Sequence, residues 1–199
     1  NYYLNTYDRH HSFIGEHFGD RVVAAYQKII QVSYKIQLWK YCMLYTLGGV
    51  YSDLDNTCKQ PINNIIDKKV GLITTVDHTG KINNCFIASM PQNPMLLRVI
   101  LKLVQNIENN YYGNSEYEIT GDYILTNILN KHLKIDISPG TYTINNIHID
   151  ILRYCSMTNC IYQYDTMVIH NNKETFNNEE KIFGCNNFIN CWDKHNIYN

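Results

Sequence analysis

Leu44-Tyr45-Thr46-Leu47-Gly48-Gly49-Val50-Tyr51-Ser52-Asp53-Leu54-Asp55 is the stretch on which the fold reading turns. The run SYKIQLWKYCMLYTL that leads into it from Ser33 sets Ile36, Trp39, Met43, Leu44 and Leu47 near helical spacing. Gly48-Gly49 ends that helix, because glycine adopts the positive φ of a helix C-terminus without a Cβ penalty. Val50-Tyr51-Ser52-Asp53 is short and β-prone. Two carboxylates stand at i and i+2; on a strand they share one face while Leu54 turns to the core. A helix, a glycine pair, a strand and then acids at its end is how an open α/β sheet presents carboxylates at its rim.

Upstream, Asp8 opens a helix to about Phe18, and Asp20 a second to about Val32. Downstream, Val70 to Val76 and Ile82 to Ala88 read as buried strands. PMLLRVILKLVQNI, from Pro94, is a strong helix with proline in its first turn. Gly121 precedes another, DYILTNILNKHL. From Ile135 the pattern breaks into short β-like pieces around Pro139-Gly140, then Thr166 to His170. Strands alternate with helices, which predicts one α/β domain over residues 1–199, a mixed sheet flanked by helices.

Composition narrows the function. The chain has 199 residues, 45% apolar and 18% charged, enough for a packed core. A net charge of −1 offers no basic field for nucleic acid. No run of about 18 apolar residues occurs, so no membrane span is expected within it. The chain opens on Asn1 rather than Met and reads as part of something longer, so an upstream leader or anchor is invisible here. Seven cysteines, Cys42, Cys58, Cys85, Cys155, Cys160, Cys185 and Cys191, form no CxxC pair. Their odd number and scatter favour free thiols in a reducing, intracellular compartment. Asparagine pairs at 63–64, 83–84, 145–146, 171–172 and 177–178 are discounted as products of a biased base composition.

The acids carry the chemistry. Paired carboxylates are hard oxygen donors suited to Mn²⁺ or Mg²⁺, which then shares its remaining positions with phosphate oxygens and water. Across a diphosphate, such an ion offsets charge as the phosphate leaves a sugar carbon. A bare Asp-x-Asp is common in solvated loops, so its surroundings must decide.

Those surroundings resemble a family. Leu44 to Asp55 is similar to the LY-x-x-GG-[IV]-Y-x-D-x-D core of glycosyltransferase family 32, the sugar-binding region containing the DXD motif. That family includes yeast-type mannosyltransferases and the glucosylating toxins. Asn1 to Tyr26 resembles the segment preceding the core. Asn84 with FIASMPQNP resembles its N-x-F-I-A-x-x-P-x-x-P block, and Thr120-Gly121-Asp122 with Leu125-Thr126 its TGP-x-x-LT block. His170, with Thr175 and Phe176, resembles the H-x-W-x-x-S-W block. The resemblance implies a GT-A-like fold, a UDP- or GDP-hexose donor, a glycan or glycoprotein acceptor, and retention of anomeric configuration. Asp55 would ligate the metal directly, and Asp53 through water or by way of the sugar. His170 would add a metal or phosphate contact. Gln37, Lys40, Gly49, Tyr51, Asn84 and Asp122 would meet the donor, with Lys40 steadying the developing charge.

The departures are specific. The family's S-D-x-x-R is Ile36, Gln37 and Lys40 here, which keeps a positive charge but loses the forked guanidinium. The proline of TGP is Asp122, and the first tryptophan of the last block is Asn172. The family's N-terminal strand, which lines the base pocket, has no counterpart in the chain. Two other readings follow. One is a non-catalytic module that binds a glycan or nucleotide-sugar. The other takes Asp53-Leu54-Asp55-Asn56-Thr57 as the D-x-D-x-T motif of haloacid dehalogenase-like phosphatases, with Asp53 as nucleophile and Asp55 as acid/base. That motif usually ends a fully apolar strand.

Overall fold

A computed structural model describes residues 7–67, 69–172 and 188–199. Its helix boundaries have local causes. The fifth helix, α5 (Pro94–Glu108), starts where the Asn93 side chain accepts the Met95 N–H at 2.9 Å, and Pro94 in the first turn sacrifices no helical donor. Its buried stripe, Met95, Leu96, Val99, Ile100, Leu103, Val104 and Ile107, recurs at helical spacing. Before it come α1 (Tyr7–His17), α2 (Asp20–Lys28), α3 (Val32–Leu47) and the short α4 (Ile62–Ile65). After it come α6 (Tyr117–Thr120), α7 (Asp122–Leu133) and α8 (Phe188–Asp193). The helix expected to run from Asp20 to Val32 ends at Lys28, because Ile29 leaves it to bridge Tyr198.

The terminus of α3 is fixed by contact as well as conformation. Gly48 has φ +65° and donates its N–H to Leu44 O at 2.9 Å. A Cβ there would stand 2.7 Å from Pro91 N and 2.9 Å from Ser89 O, both backbone atoms. Gly48→Ala is therefore expected to cost roughly 2–4 kcal/mol, read as a lower guanidinium midpoint. Gly49, at φ +94° with open space around its missing Cβ, carries only the conformational part of that penalty.

Among the described residues, eight strands form one mixed sheet: β1 (Gly49–Ser52), β2 (Asn56–Cys58), β3 (Leu72–Val76), β4 (Ile82–Ser89), β5 (Gly140–Ile144), β6 (Ile147–Cys155), β7 (Cys160–Gln163) and β8 (Thr166–Asn171). Their order is β1-β4-β3-β6-β7-β8-β2, with β5 also on β6; β3 and β6 run parallel and the other pairs antiparallel. The larger core lies between the sheet and α3, α5 and α7. A smaller cluster around Ile65, Phe86, Leu152 and Ile161 lies apart from it. β3, buried along its whole length, separates the two: Leu72 and Val76 join the first and Ile73 the second. The α/β class and helix-flanked mixed sheet expected from the sequence are those observed.

Two further features differ from expectation. The region after Ile135 is not a set of short pieces, for β6 spans 9 residues. Asn145-Asn146, discounted as compositional bias, is the two-residue turn between β5 and β6. Its φ values of 49° and 65° match the primed hairpin turns that asparagine tolerates.

The sheet also curls. Flat, the six gaps between β1 and β2 would separate them by about 29 Å at about 4.8 Å per gap. Only Asp53, Leu54 and Asp55 join Ser52 to Asn56, and four such links reach about 14 Å. The two ends of the sheet therefore meet at the acids. Among the described residues no helix is long and apolar enough to cross a membrane, and six of the cysteines are free.

Candidate active site

Asp53 donates its N–H to Cys85 O at 2.9 Å, continuing the β1–β4 pairing. Asn56 N–H then reaches Asp53 O at 3.1 Å and closes a turn, the conformation that Asp and Asn favour. The acids thus lie on a turn rather than alternating along a strand. Leu54, at its tip, is 67% exposed and not in the core, contrary to the strand-based expectation. The Asn56 side chain ties the turn down, donating to Ser52 Oγ at 3.0 Å and Cys85 O at 2.8 Å.

Each carboxylate has its own support. Tyr51 donates its phenol to Asp53 Oδ1 at 2.8 Å. Asn171, 2% exposed, donates its amide to Asp55 Oδ1 and to Asn56 Oδ1, each at 2.8 Å. Asn172 N–H reaches Asp55 O at 2.7 Å. Asp53 is thus fastened to β4 and Asp55 to β8. Sequence reasoning singled out His170 and passed over Asn171. The usable signal was alternation, since neighbours on a strand face opposite ways. His170 pairs with Thr57 and Cys160 and so looks away from the side that Asn171 presents to Asp55. Among the described residues no three His, Cys, Asp or Glu side chains are placed to hold a metal, so Asp53, Asp55 and His170 form no protein-only cage. Thr175 and Phe176 lie outside the described residues.

Behind the acids is a buried polar layer. Gln37, Lys40 and Tyr41 share one side of α3 at i, i+3 and i+4. Lys40 is 1% exposed; its Nζ donates to Asn84 O at 3.2 Å and sits 4.7 Å from the Tyr51 ring centre. Burial pulls the Lys40 ammonium below its ordinary pKa, opposed by the charges of Asp53 and Asp122. Burial likewise drives the Tyr51 phenol up, and the charges of Asp53 and Asp55 push the same way. Tyr51 therefore feels both acids. Asp122, in the first turn of α7, also acts on Tyr41, whose own pKa burial raises. The Tyr41 hydroxyl lies beside the Asn84 amide without the alignment of a full hydrogen bond. Among the described residues, Gln37 Oε1 is buried without a hydrogen bond, and neither amide atom of Asn84 makes one of full geometry.

Residues 4–71 match the family model described as the glycosyltransferase sugar-binding region containing the DXD motif. A 69-residue stretch is 35% identical to inositol phosphoceramide mannosyltransferase 1 of Schizosaccharomyces pombe (strain 972 / ATCC 24843), covering 35% of this chain. The chain thus spans only 21% of that protein's length. The PaToxG glycosyltransferase structure aligns with a TM-score of 0.48 at 19% identity, over 62% of this chain and 44% of its own.

The matched stretch contains Gln37, Lys40, Gly49, Tyr51, Asp53 and Asp55, while Asn84, Asp122, His170 and Asn171 lie beyond it. The fold returns all four to it: Asn84 through Lys40, Asp122 by its charge on Lys40 and Tyr41, Asn171 through Asp55, and His170 by its pairing with Thr57. Gly49 opens β1 with free space beside its Cα. The phosphatase motif's apolar strand is not found, since β1 is a four-residue, largely exposed edge strand.

Proposed function

We propose that this chain is the catalytic part of a GT-A-like retaining glycosyltransferase, moving a hexose from a UDP- or GDP-sugar to a glycan or glycoprotein acceptor. The observation that carries this reading is the turn itself. It holds Asp53 and Asp55 at the seam of the sheet, beside buried Lys40 and Tyr51, within the matched DXD region.

Two hard oxygen donors on one turn fit a Mn²⁺ or Mg²⁺ ion that completes its shell with diphosphate oxygens and water. Asp55 would hold the ion directly and Asp53 directly or through water; when bound, the ion would offset the charge of the leaving diphosphate. The cation role expected of His170 passes, on this reading, to the donor's own phosphates. Lys40 adds a fixed positive charge within reach of Asp53, kept from water and so little screened. Gln37 and Asn84 hold buried polar atoms that make no full hydrogen bond among the described residues, and sugar hydroxyls can satisfy them. The bond from the anomeric carbon to phosphate breaks as the acceptor oxygen bonds from the same face. The acceptor's proton passes to the departing phosphate oxygen.

Incubating the chain with UDP- and GDP-hexoses and Mn²⁺, and measuring released nucleotide, tests the reading. Absence of both donor binding and hydrolysis across that panel would overturn it. Binding without release would instead leave a non-catalytic module, the reading that Gln37 and Lys40 at the family's Asp and Arg positions motivate. Asn171→Ala frees Asp55 Oδ1, and is expected to weaken Mn²⁺ binding by about 10–100-fold, measured by electron paramagnetic resonance.

A further inference from the structure

A second site lies outside the DXD region. Helices α5 and α7 pack against each other, and a cavity of about 400 Å³ opens between them, a volume suited to a small organic ligand. α5 sends Arg98, Lys102 and Asn106 into it at i, i+4 and i+8; α7 answers with Ile124, Ile128 and His132 at the same spacing, and with Lys131. None of the residues discussed for sugar transfer lines this cavity.

Its charge is one-sided. Arg98, Lys102 and Lys131 face a single carboxylate, Glu118. Glu118 is already engaged, for its Oε2 accepts the Tyr111 hydroxyl at 2.8 Å and the Asn114 N–H at 3.2 Å. Lys102 reaches only uncharged groups, Gln105 at 3.3 Å and the Tyr111 ring with its centre 5.9 Å away, and Arg98 and Lys131 make no hydrogen bond or ion pair among the described residues. In a chain of net charge −1, this concentration of unpaired cations is local. His132 donates Nδ1–H to Ile128 O at 2.8 Å, which leaves Nε2 for another partner.

The walls are built rather than incidental. Asn106, 2% exposed, donates to the carbonyls of Glu118 and Ile119 at 3.0 and 3.1 Å and so fastens the segment that closes one end. Tyr111 and Tyr123 supply ring surface beside the cations; Lys81 bonds the Tyr123 hydroxyl and lies 4.3 Å from that ring's centre. Several cations, one of them the forked guanidinium of Arg98, fit the oxygens of a phosphate. Tyrosine and isoleucine walls fit an organic remainder.

We infer that the α5–α7 groove binds a phosphate-bearing organic molecule, either a soluble phosphate ester or the headgroup of a phospholipid. The test titrates the whole chain with phenyl phosphate in EDTA, which strips any cation from Asp53 and Asp55. It also sediments the chain with phosphatidylcholine vesicles, with and without phosphatidylinositol phosphate. Binding to phenyl phosphate identifies a soluble source, and binding only to the anionic vesicles a headgroup. Either is expected to persist in Asp55→Asn and to weaken at least tenfold in Arg98→Ala/Lys131→Ala, whose exposed positions spare the fold. An equal removal of charge elsewhere, Lys59→Ala/Lys69→Ala, should change it less than twofold. No binding to either probe, or equal weakening by both pairs of substitutions, would overturn the site.

Discussion

Asp55→Asn is expected to reduce Mn²⁺-dependent nucleotide release from a UDP- or GDP-hexose by about 10²–10³-fold or more, with folding intact. Asparagine keeps the shape of the side chain and retains an Oδ1 that can accept from Asn171, and the backbone bond from Asn172 is unaffected. What disappears is the negative charge. A hard divalent cation binds an amide oxygen far less well than a carboxylate, so Mn²⁺ affinity should fall together with turnover. Paired titrations by electron paramagnetic resonance and nucleotide-release assays read both quantities. Unchanged affinity and turnover, with thermal unfolding also unchanged, would remove the acids from the mechanism.

Lys40→Met should separate stability from activity. Lys40 is buried with an ammonium held below its ordinary pKa mainly by desolvation, despite Asp53 and Asp122 nearby. Such a group is protonated more readily in the unfolded chain. Its penalty is thus fully present below the folded pKa and is relieved as pH rises toward the unfolded value of about 10.5, so its contribution to stability rises with pH. A methionine of similar length removes that penalty. The unfolding temperature at neutral pH should stay level or rise, by about 2–8 °C for roughly 1–2 kcal/mol. The gain should shrink toward pH 10. Donor hydrolysis should fall by about 10²-fold, since the fixed charge beside Asp53 is lost. A stability loss at neutral pH with hydrolysis unchanged would assign Lys40 to packing alone.

Much of this architecture was readable from residues. Gly48-Gly49, Pro94 and the spacing of Met95 to Ile107 announce their helix boundaries because each acts within a few positions of chain. The acid pair was legible through its neighbours. What escaped was set at long range. No local pattern states that β1 and β2, three residues apart, occupy opposite ends of the strand order, and without that the acids look like strand residues. Asn171 escaped because it matters only through its register with Asn56, and because asparagine pairs had been put down to composition. Asn145-Asn146 shows the cost of that discount: an asparagine pair between two β-prone runs is itself a hairpin signal.

The junction of the two sheet ends has a mechanical consequence. One acid rides on β4 and the other on β8, with β3, β6 and β7 between them along the strand order. On the proposed reading, the gap that a cation would bridge is gauged by the curvature of the whole sheet, much as the jaws of a caliper are set by its frame. Loosening of the distant β6–β7 pairing would retune the grip on the ion while every residue in the turn stayed the same.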